Sequence, residues 1–235
     1  MKKVYIPIII VIFGICAFFG YKAAANILSD RQIMIDQTTA NVNPPVVQQN
    51  FVFIHVDDLS ITKPQLISIW AGFVNESSPP QLLVLPLYPT DDIEVHDRVN
   101  KNFSVDPDSK KIKPRFISQL RSTFDFKIDG YILSDDTGVA YSNKLLSGIE
   151  TPLSSIPTTT DSEKHSLLLS EKTSWQQFCN LVSLGTSNSY FSVINWGVLL
   201  PDHFSTDLEF ERITLLTDQI IRAADKVQCE VIANK

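Results

Sequence analysis

The sequence predicts a mixed α/β (α+β) fold: a single domain with a central mixed sheet flanked by helices, preceded by one N-terminal transmembrane helix. Three observations predict it. Phe51-Val52-Phe53-Ile54-His55-Val56-Asp57 reads as a strong strand, apolar almost throughout until the carboxylate at its end. The segment from Phe126 to Glu150 reads as a buried strand that runs into a helix stopping at Gly148. Strand-like and helix-like stretches then intermix to the end of the chain, the arrangement of a sheet covered by helices.

The elements follow in order. Gln65 to Val74 and Gln81 to Leu87 are strands, and Asn75-Glu76-Ser77-Ser78-Pro79-Pro80 between them is a turn, so the pair is a hairpin. Asp91 to Ile112 is polar and is expected to be irregular. Pro114 to Phe124 carries Phe116, Ile117, Leu120 and Phe124 at helical spacing, with Pro114 suited to the first turn. Ile128, Tyr131, Ile132 and Leu133 form the next strand, and Val139, Leu145 and Leu146 share the apolar stripe of the helix after it. Thr151 to Lys164 is a loop rich in Ser, Thr and Pro. Ser170 to Leu184 is a helix with Trp175, Phe178 and Leu181 on one side. Tyr190 to Leu200 leans towards strand. Asp207 to Val227 closes the chain as its longest expected helix, with Phe210, Ile213, Leu216, Ile220, Ile221 and Ala224 in the stripe.

Three regions organise the chain. Residues 1–28 hold a short cytoplasmic end and an anchor: Lys2 and Lys3 precede Val4 to Gly20, a run without a charge. A cleaved signal peptide is the alternative, because Ala23-Ala24-Ala25 offers a small-residue cleavage site. Residues 29–50 are a polar tether containing Asn43-Pro44-Pro45. Residues 51–235 are long enough for one domain with its own core. The expected location is the cell membrane, single-pass, with the N-terminus cytoplasmic and the main domain outside.

Composition excludes some classes. The formal charge is -6, from 26 acidic and 20 basic residues, which argues against a nucleic-acid surface. No Gly-x-Ser-x-Gly elbow and no Gly-rich phosphate loop occurs. His55, His96, His165 and His203 lack zinc-site spacing. Of three cysteines, Cys179 and Cys229 either pair outside the cytoplasm or remain two reduced, buried thiols.

Several polar residues have two readings. Asp57-Asp58 at a strand end is a metal site or a turn that caps the next element. Asp135-Asp136 heads a helix, and N-capping accounts for it. His55 is a satisfied core histidine or lines a pocket. Arg212 faces an anion site or pairs with Glu209 on its own helix, the local pair being favoured.

In order and spacing these segments resemble the LytR-CpsA-Psr family, also called the cell-envelope-related transcriptional attenuator domain. Phe51 to Asp57 is similar to the family strand ending Gly-x-Asp-(Ser/Thr)-Arg. Gln65 to Pro86 resembles its Met-Leu-Val-Ser-Ile … Ser-Ile-Pro hairpin. Phe116 to Ile149 resembles its Asp-Tyr-Tyr-Val-Val-Val-Asp strand and the helix ending Leu-Val-Asp-x-Leu-Gly-Gly-Val. Leu208 to Ala224 is similar to its Asp-x-x-Arg-Ile-x-Arg-Gln-Gln helix. The resemblance implies a membrane-anchored mixed α/β domain outside the cytoplasm. It also implies transfer of anionic glycopolymers from an undecaprenyl-pyrophosphate carrier to the cell wall. Such a leaving group demands Mg²⁺ and several arginines.

The charged constellation is only partly present. Asp57 matches the metal-associated Asp and Arg212 the first Arg of the last helix, so these are the catalytic candidates, with Asp57 as metal ligand. Asp135, His55 and Tyr88 are the ligand-binding candidates. Leu59 stands at an Arg position, Leu87 and Tyr88 at the Arg-Asp of Pro-Arg-Asp, and Leu215 at the second helix Arg. Removing one electrostatic stabiliser costs about a hundred- to a thousandfold in rate. The expectation is a catalytically degenerate envelope-biogenesis protein. It would bind a polyprenyl-linked intermediate, an envelope polymer or an active paralogue. The alternative is a divergent active phosphotransferase using displaced charges, with Mg²⁺ as its cofactor; a third is a structural envelope protein whose interior has filled in.

Overall fold

A computed structural model describes residues 48–77, 79–147, 161–183, 202–209, 211–213 and 227–232. The expected anchor and tether, the expected strand at 190–200, most of the expected last helix and Leu215 lie outside them. Among the described residues, no helix is long and apolar enough to cross a membrane.

The described elements are β1 (Gln48–Val56), β2 (Leu66–Asn75), β3 (Gln81–Tyr88), α1 (Ile93–Asn102), α2 (Pro114–Phe124), β4 (Gly130–Asp135), α3 (Asp136–Ser147), α4 (Asp161–Ser183), β5 (Phe204–Thr206) and β6 (Gln228–Val231). The strands form one sheet in the order β5-β4-β1-β2-β3-β6. β1–β2, β2–β3 and β4–β5 pair antiparallel, whereas β1–β4 and β3–β6 pair parallel. The sheet is therefore mixed, as the sequence predicts. β1, β3, β4 and β6 all end at one edge, the carboxyl edge, and β2 and β5 begin there.

Alternation along β1 divides the core. Val52, Ile54 and Val56 face a cluster completed by Phe116, Ile117 and Leu120 of α2 and Val99 of α1. Phe51 and Phe53 face a second cluster with Trp70, Val84 and the α4 residues Trp175, Phe178 and Val182. Phe53 meets Trp175 edge-on, with ring centroids 4.7 Å apart. A strand between two such layers has no polar face, so its sequence shows a run and not an alternation.

The helix at Pro114–Phe124 starts and stops where the sequence places it, ending at Asp125 in the left-handed conformation (φ 51). Asp91 to Ile112 departs from expectation, because it contains α1. That helix buries only Val99 and is fixed by other means. The Asp92 carboxylate accepts from Val95 N–H at 3.0 Å, and Glu94 pairs with Arg98 one turn on. α4 begins at Asp161, ahead of the expected Ser170. β5 and β6 were not expected; three and four residues are too few to show a period.

The cysteines resolve in favour of pairing. Cys179 of α4 and Cys229 of β6 form a disulfide with Cα atoms 5.0 Å apart. It joins the helix over one face to the outermost strand.

Gly138 lies where α3 meets the turn before β5. A Cβ there would sit 2.6 Å from the His203 carbonyl oxygen and 2.2 Å from Ser134 Oγ. Since backbone must move to admit a methyl group, Gly138→Ala is expected to destabilise the fold by roughly 1–3 kcal/mol. A lowered midpoint in urea denaturation would show it.

Candidate functional site

Strand direction decides which candidates meet. His55 and Asp57 lie at the end of β1, Asp135 at the end of β4 and Tyr88 at the end of β3, all on the carboxyl edge. Open α/β sheets place their ligands at such an edge. Arg212 is elsewhere. Its guanidinium donates to Gln49 Oε1 (3.2 Å) and the Asp129 carbonyl (3.4 Å), and stands 5.9 Å from the Phe51 ring centroid. Those partners mark the start of β1, about 25 Å of strand from Asp57. The two catalytic candidates are therefore not brought together. The favoured pairing with Glu209 is corrected too, because the side chain reaches across to the neighbouring strand.

Each carboxyl-edge candidate is held by local bonds. Asp57 Oδ1 accepts from Asp58 N–H and Gln65 N–H, both at 2.7 Å, and closes the β1–β2 loop. Asp58 Oδ1 accepts from Ser60 N–H at 2.7 Å. Hydrogen bonds from Ser60 hold the Asp58 carboxyl below its ordinary range, with smaller contributions from the charges of His203 and Lys110. Asp135 Oδ1 accepts from Gly138 N–H at 2.9 Å, the helix cap that the sequence suggests. Its Oδ2 lies 2.8 Å from His203 Nδ1. Tyr88 is fully buried on the opposite face of the sheet from His55, with its ring against His96 and its hydroxyl 3.3 Å from His96 Nε2.

His55 is the most constrained of the set. Nδ1 lies 2.5 Å from Glu171 Oε1 and Nε2 lies 2.8 Å from Asp136 Oδ1. Ionised carboxylates only accept, so both ring nitrogens donate and the ring is an imidazolium. Glu171 Oε2 takes the Trp70 indole N–H at 2.6 Å. Asp136, with 31% of its side chain exposed, forms the wet end of this chain of bonds. Ser68, opposite His55 on β2, keeps a buried hydroxyl without a partner in hydrogen-bond range, yet close enough to help lower Glu171. His55 is thus a satisfied core histidine, one of the two readings its sequence position left open.

Burial alone would lower the pKa of His55. The Glu171 charge, then hydrogen bonds to Asp136 and Glu171, reverse this and raise it to about 9. Burial would raise Glu171, and the facing His55 charge lowers it instead. The folded pKa of His55 exceeds its ordinary 6.5, so its stabilisation is complete below pH 6.5 and lost as pH rises through about 9. Glu171 contributes above its ordinary 4.5 and loses that as pH falls through its lowered value. Denaturant titrations are therefore expected to show about 3 kcal/mol lost from neutral to strongly alkaline pH. A His55→Leu variant should lack that component.

Two site residues escape sequence reasoning, Glu171 and His203. Glu171 carries a signal in retrospect, since it shares the buried side of α4 with Trp175, Phe178 and Val182. A carboxylate in such a stripe requires a buried partner. No comparable signal marks His203.

Among the described residues, no group of three or more His, Cys, Asp or Glu is arranged to hold a metal ion. Asp57 Oδ1 and both carboxylate oxygens of Asp135 accept from the protein's own amides and from His203. A cavity of about 1110 Å³, open to solvent and lined by Gln81, Leu83, Ser183 and Gln228 among others, lies at the sheet's other edge. It is remote from Asp57.

No family model matches the chain, and no curated protein matches it. Several solved structures are similar to it. TagV from B. subtilis has 10% identity over 80% of this chain and 85% of its own, with a TM-score of 0.48. TagT bound to LIIa-WTA has 10% identity over 84% and 83%, with a TM-score of 0.46. Protein gbs0355 from Streptococcus agalactiae has 10% identity over 79% and 77%, with a TM-score of 0.47.

Proposed function

We propose that this chain is a membrane-anchored, extracytoplasmic protein of cell-envelope biogenesis, built on the LytR-CpsA-Psr plan without its transferase chemistry. It binds a polyprenyl-linked intermediate, an envelope polymer or an active paralogue. The observation that carries this reading is the fate of three positions. Leu59, Leu87 and Tyr88 stand where the resemblance puts two arginines and a carboxylate, and all three are packed in the core at 1%, 6% and 0% exposure. Apolar packing at these positions supports a protein without an anion site there, and Arg212, at the start of β1, is not placed to supply one. The disulfide supports a location outside the cytoplasm, where such bonds persist.

One observation favours the divergent active phosphotransferase. Asp57, Asp58, Asp135 and Asp136 gather at one edge, and Asp136 N–H reaches the Asp57 carbonyl at 3.3 Å. Binding of the full-length protein, in detergent, to a polyprenyl pyrophosphate with and without Mg²⁺ separates the readings. Metal-independent binding supports the degenerate protein. Binding that needs Mg²⁺ and fails in Asp57→Ala supports the active one. Absence of binding under both conditions removes the lipid as ligand.

A further inference from the structure

The two sulfurs of the disulfide differ in their access to solvent. Cys179, on α4, is buried at 5% exposure. Cys229, on β6, is partly buried against the second core cluster and forms part of the wall of the open cavity of about 1110 Å³. Gln81 and Leu83 of β3, Glu230 of β6 and Ser183 at the end of α4 also line that cavity. Cys179 is not among its described lining residues. A reagent entering from solvent therefore meets one sulfur ahead of the other.

Exchange chemistry turns this asymmetry into an order of events. A thiolate breaks a disulfide by attacking one of its sulfurs through a mixed disulfide, and access helps decide which sulfur that is. Buried cysteines are inert, and partly exposed ones react. The cavity also sorts reagents by charge. Glu230 is its charged wall residue among those described, with no Lys or Arg beside it. Such a wall does not attract anionic thiols and admits uncharged ones.

We propose that Cys229 Sγ is a thiol–disulfide exchange site, reached through this cavity by an uncharged dithiol that opens the covalent link between α4 and β6. One thiolate of the dithiol bonds to Cys229 Sγ, the Cys179–Cys229 bond breaks, and its electron pair leaves on Cys179 Sγ, which takes up a proton. The second thiolate of the dithiol then attacks its own sulfur bound to Cys229. That step releases Cys229, which also takes up a proton, and the dithiol departs as a disulfide. Two electrons and two protons have passed to the protein. A monothiol lacks the second step, and Cys179, held beside the mixed disulfide, expels it and restores the link. In the reduced protein α4 keeps its hold on β1 through Glu171 and His55 but loses its bond to β6. The site thus makes one attachment of α4 responsive to thiols, and it requires nothing of the polymer or lipid considered above.

The test treats the folded full-length protein, in detergent, with 2-mercaptoethanol, stops the reaction with acid and maps the adducts by peptide mass spectrometry, which also separates Cys16. Mercaptoethanol is expected on Cys229, with Cys179 as the free thiol, in at least about tenfold excess over the reverse. Dithiothreitol should reduce the bond fully under conditions where 2-mercaptoethanol leaves it mostly closed. Adducts on Cys179, or spread evenly over both residues, overturn the proposal. So does a bond that neither reagent touches until urea unfolds the protein. A second measurement compares Cys179→Ser with Cys229→Ser, both of which lack the disulfide, in their reaction with uncharged 4,4′-dithiodipyridine. The thiol left in Cys179→Ser should react at least about tenfold faster than the one left in Cys229→Ser, and the two should become equal in urea. Equal rates in the folded variants overturn the proposal. The polyprenyl experiment above can fail without affecting either result, and the converse holds as well.

Discussion

Replacing Glu171 with Ala is expected to reduce folding stability by about 3–5 kcal/mol at neutral pH. The change removes one partner of a buried ion pair and leaves the other behind. His55 would keep Asp136 but lose the acceptor at Nδ1, and the Trp70 indole N–H would lose the Glu171 carboxylate as acceptor. An unsatisfied buried donor costs about 1–3 kcal/mol by itself. His55 can respond by releasing its proton, since without Glu171 burial pushes its pKa down. The alkaline loss of stability would then shrink in this variant.

A paired change separates the pair from its parts. His55→Leu with Glu171→Met replaces the ions by apolar groups facing Phe53 and Trp175 and lets Asp136 turn to solvent. That combination is expected to lie within about 1–2 kcal/mol of the parent, because well-packed apolar replacements of buried ion pairs are often close to neutral. The two single changes would then sum to far more than the double one. Additive effects in urea denaturation would mean that the two side chains are not coupled as the 2.5 Å contact implies.

How much of this was legible in the sequence depends on the span of the interaction. β1, the β2–β3 hairpin, α2 and the β4–α3 junction were readable because their signals are local: apolar runs, a Pro-rich turn, a proline at a helix start and an aspartate at a helix cap. α1 was missed because its apolar contribution is a single valine. β5 and β6 owe their conformation to the strands they join, and nothing in three or four residues announces that. The site divides in the same way. His55 and Asp135 were identifiable from their places at strand ends. Glu171 and His203 lie 116 and 68 residues away from them, and such partnerships are set by the packing of α4 and β5. Asp57 and Arg212 illustrate the converse: a motif match gave each a role, and the fold put them at opposite ends of one strand.

Removing the Cys179–Cys229 disulfide is the other large effect expected. The two residues are 50 apart in sequence, and closing a loop of that length restricts the unfolded chain by about 4 kcal/mol in the chain-entropy account. Changing both cysteines to Ser should therefore lower stability by about that amount. The loss should also have a place. β6 is a four-residue strand that, among the described strands, pairs with β3 alone. Its attachment includes Gln228 N–H to the Pro80 carbonyl (2.9 Å) and Ile232 N–H to the Val84 carbonyl (2.8 Å). Strands that short contribute little by themselves, so the covalent link from α4 supplies most of what keeps β6 in register. Hydrogen exchange at the Gln228 and Ile232 amides is thus expected to accelerate under a dithiol reductant before the amides of β1 respond, and the double Ser variant should show the same pattern without reductant. If reduction instead loosens β1 and β6 together, the disulfide stabilises the domain as one cooperative unit, and the helix–edge link has no local role. If reduction changes neither, the hydrogen bonds and the packing of Val227 and Val182 are sufficient to hold the edge, and the entropy estimate is what fails.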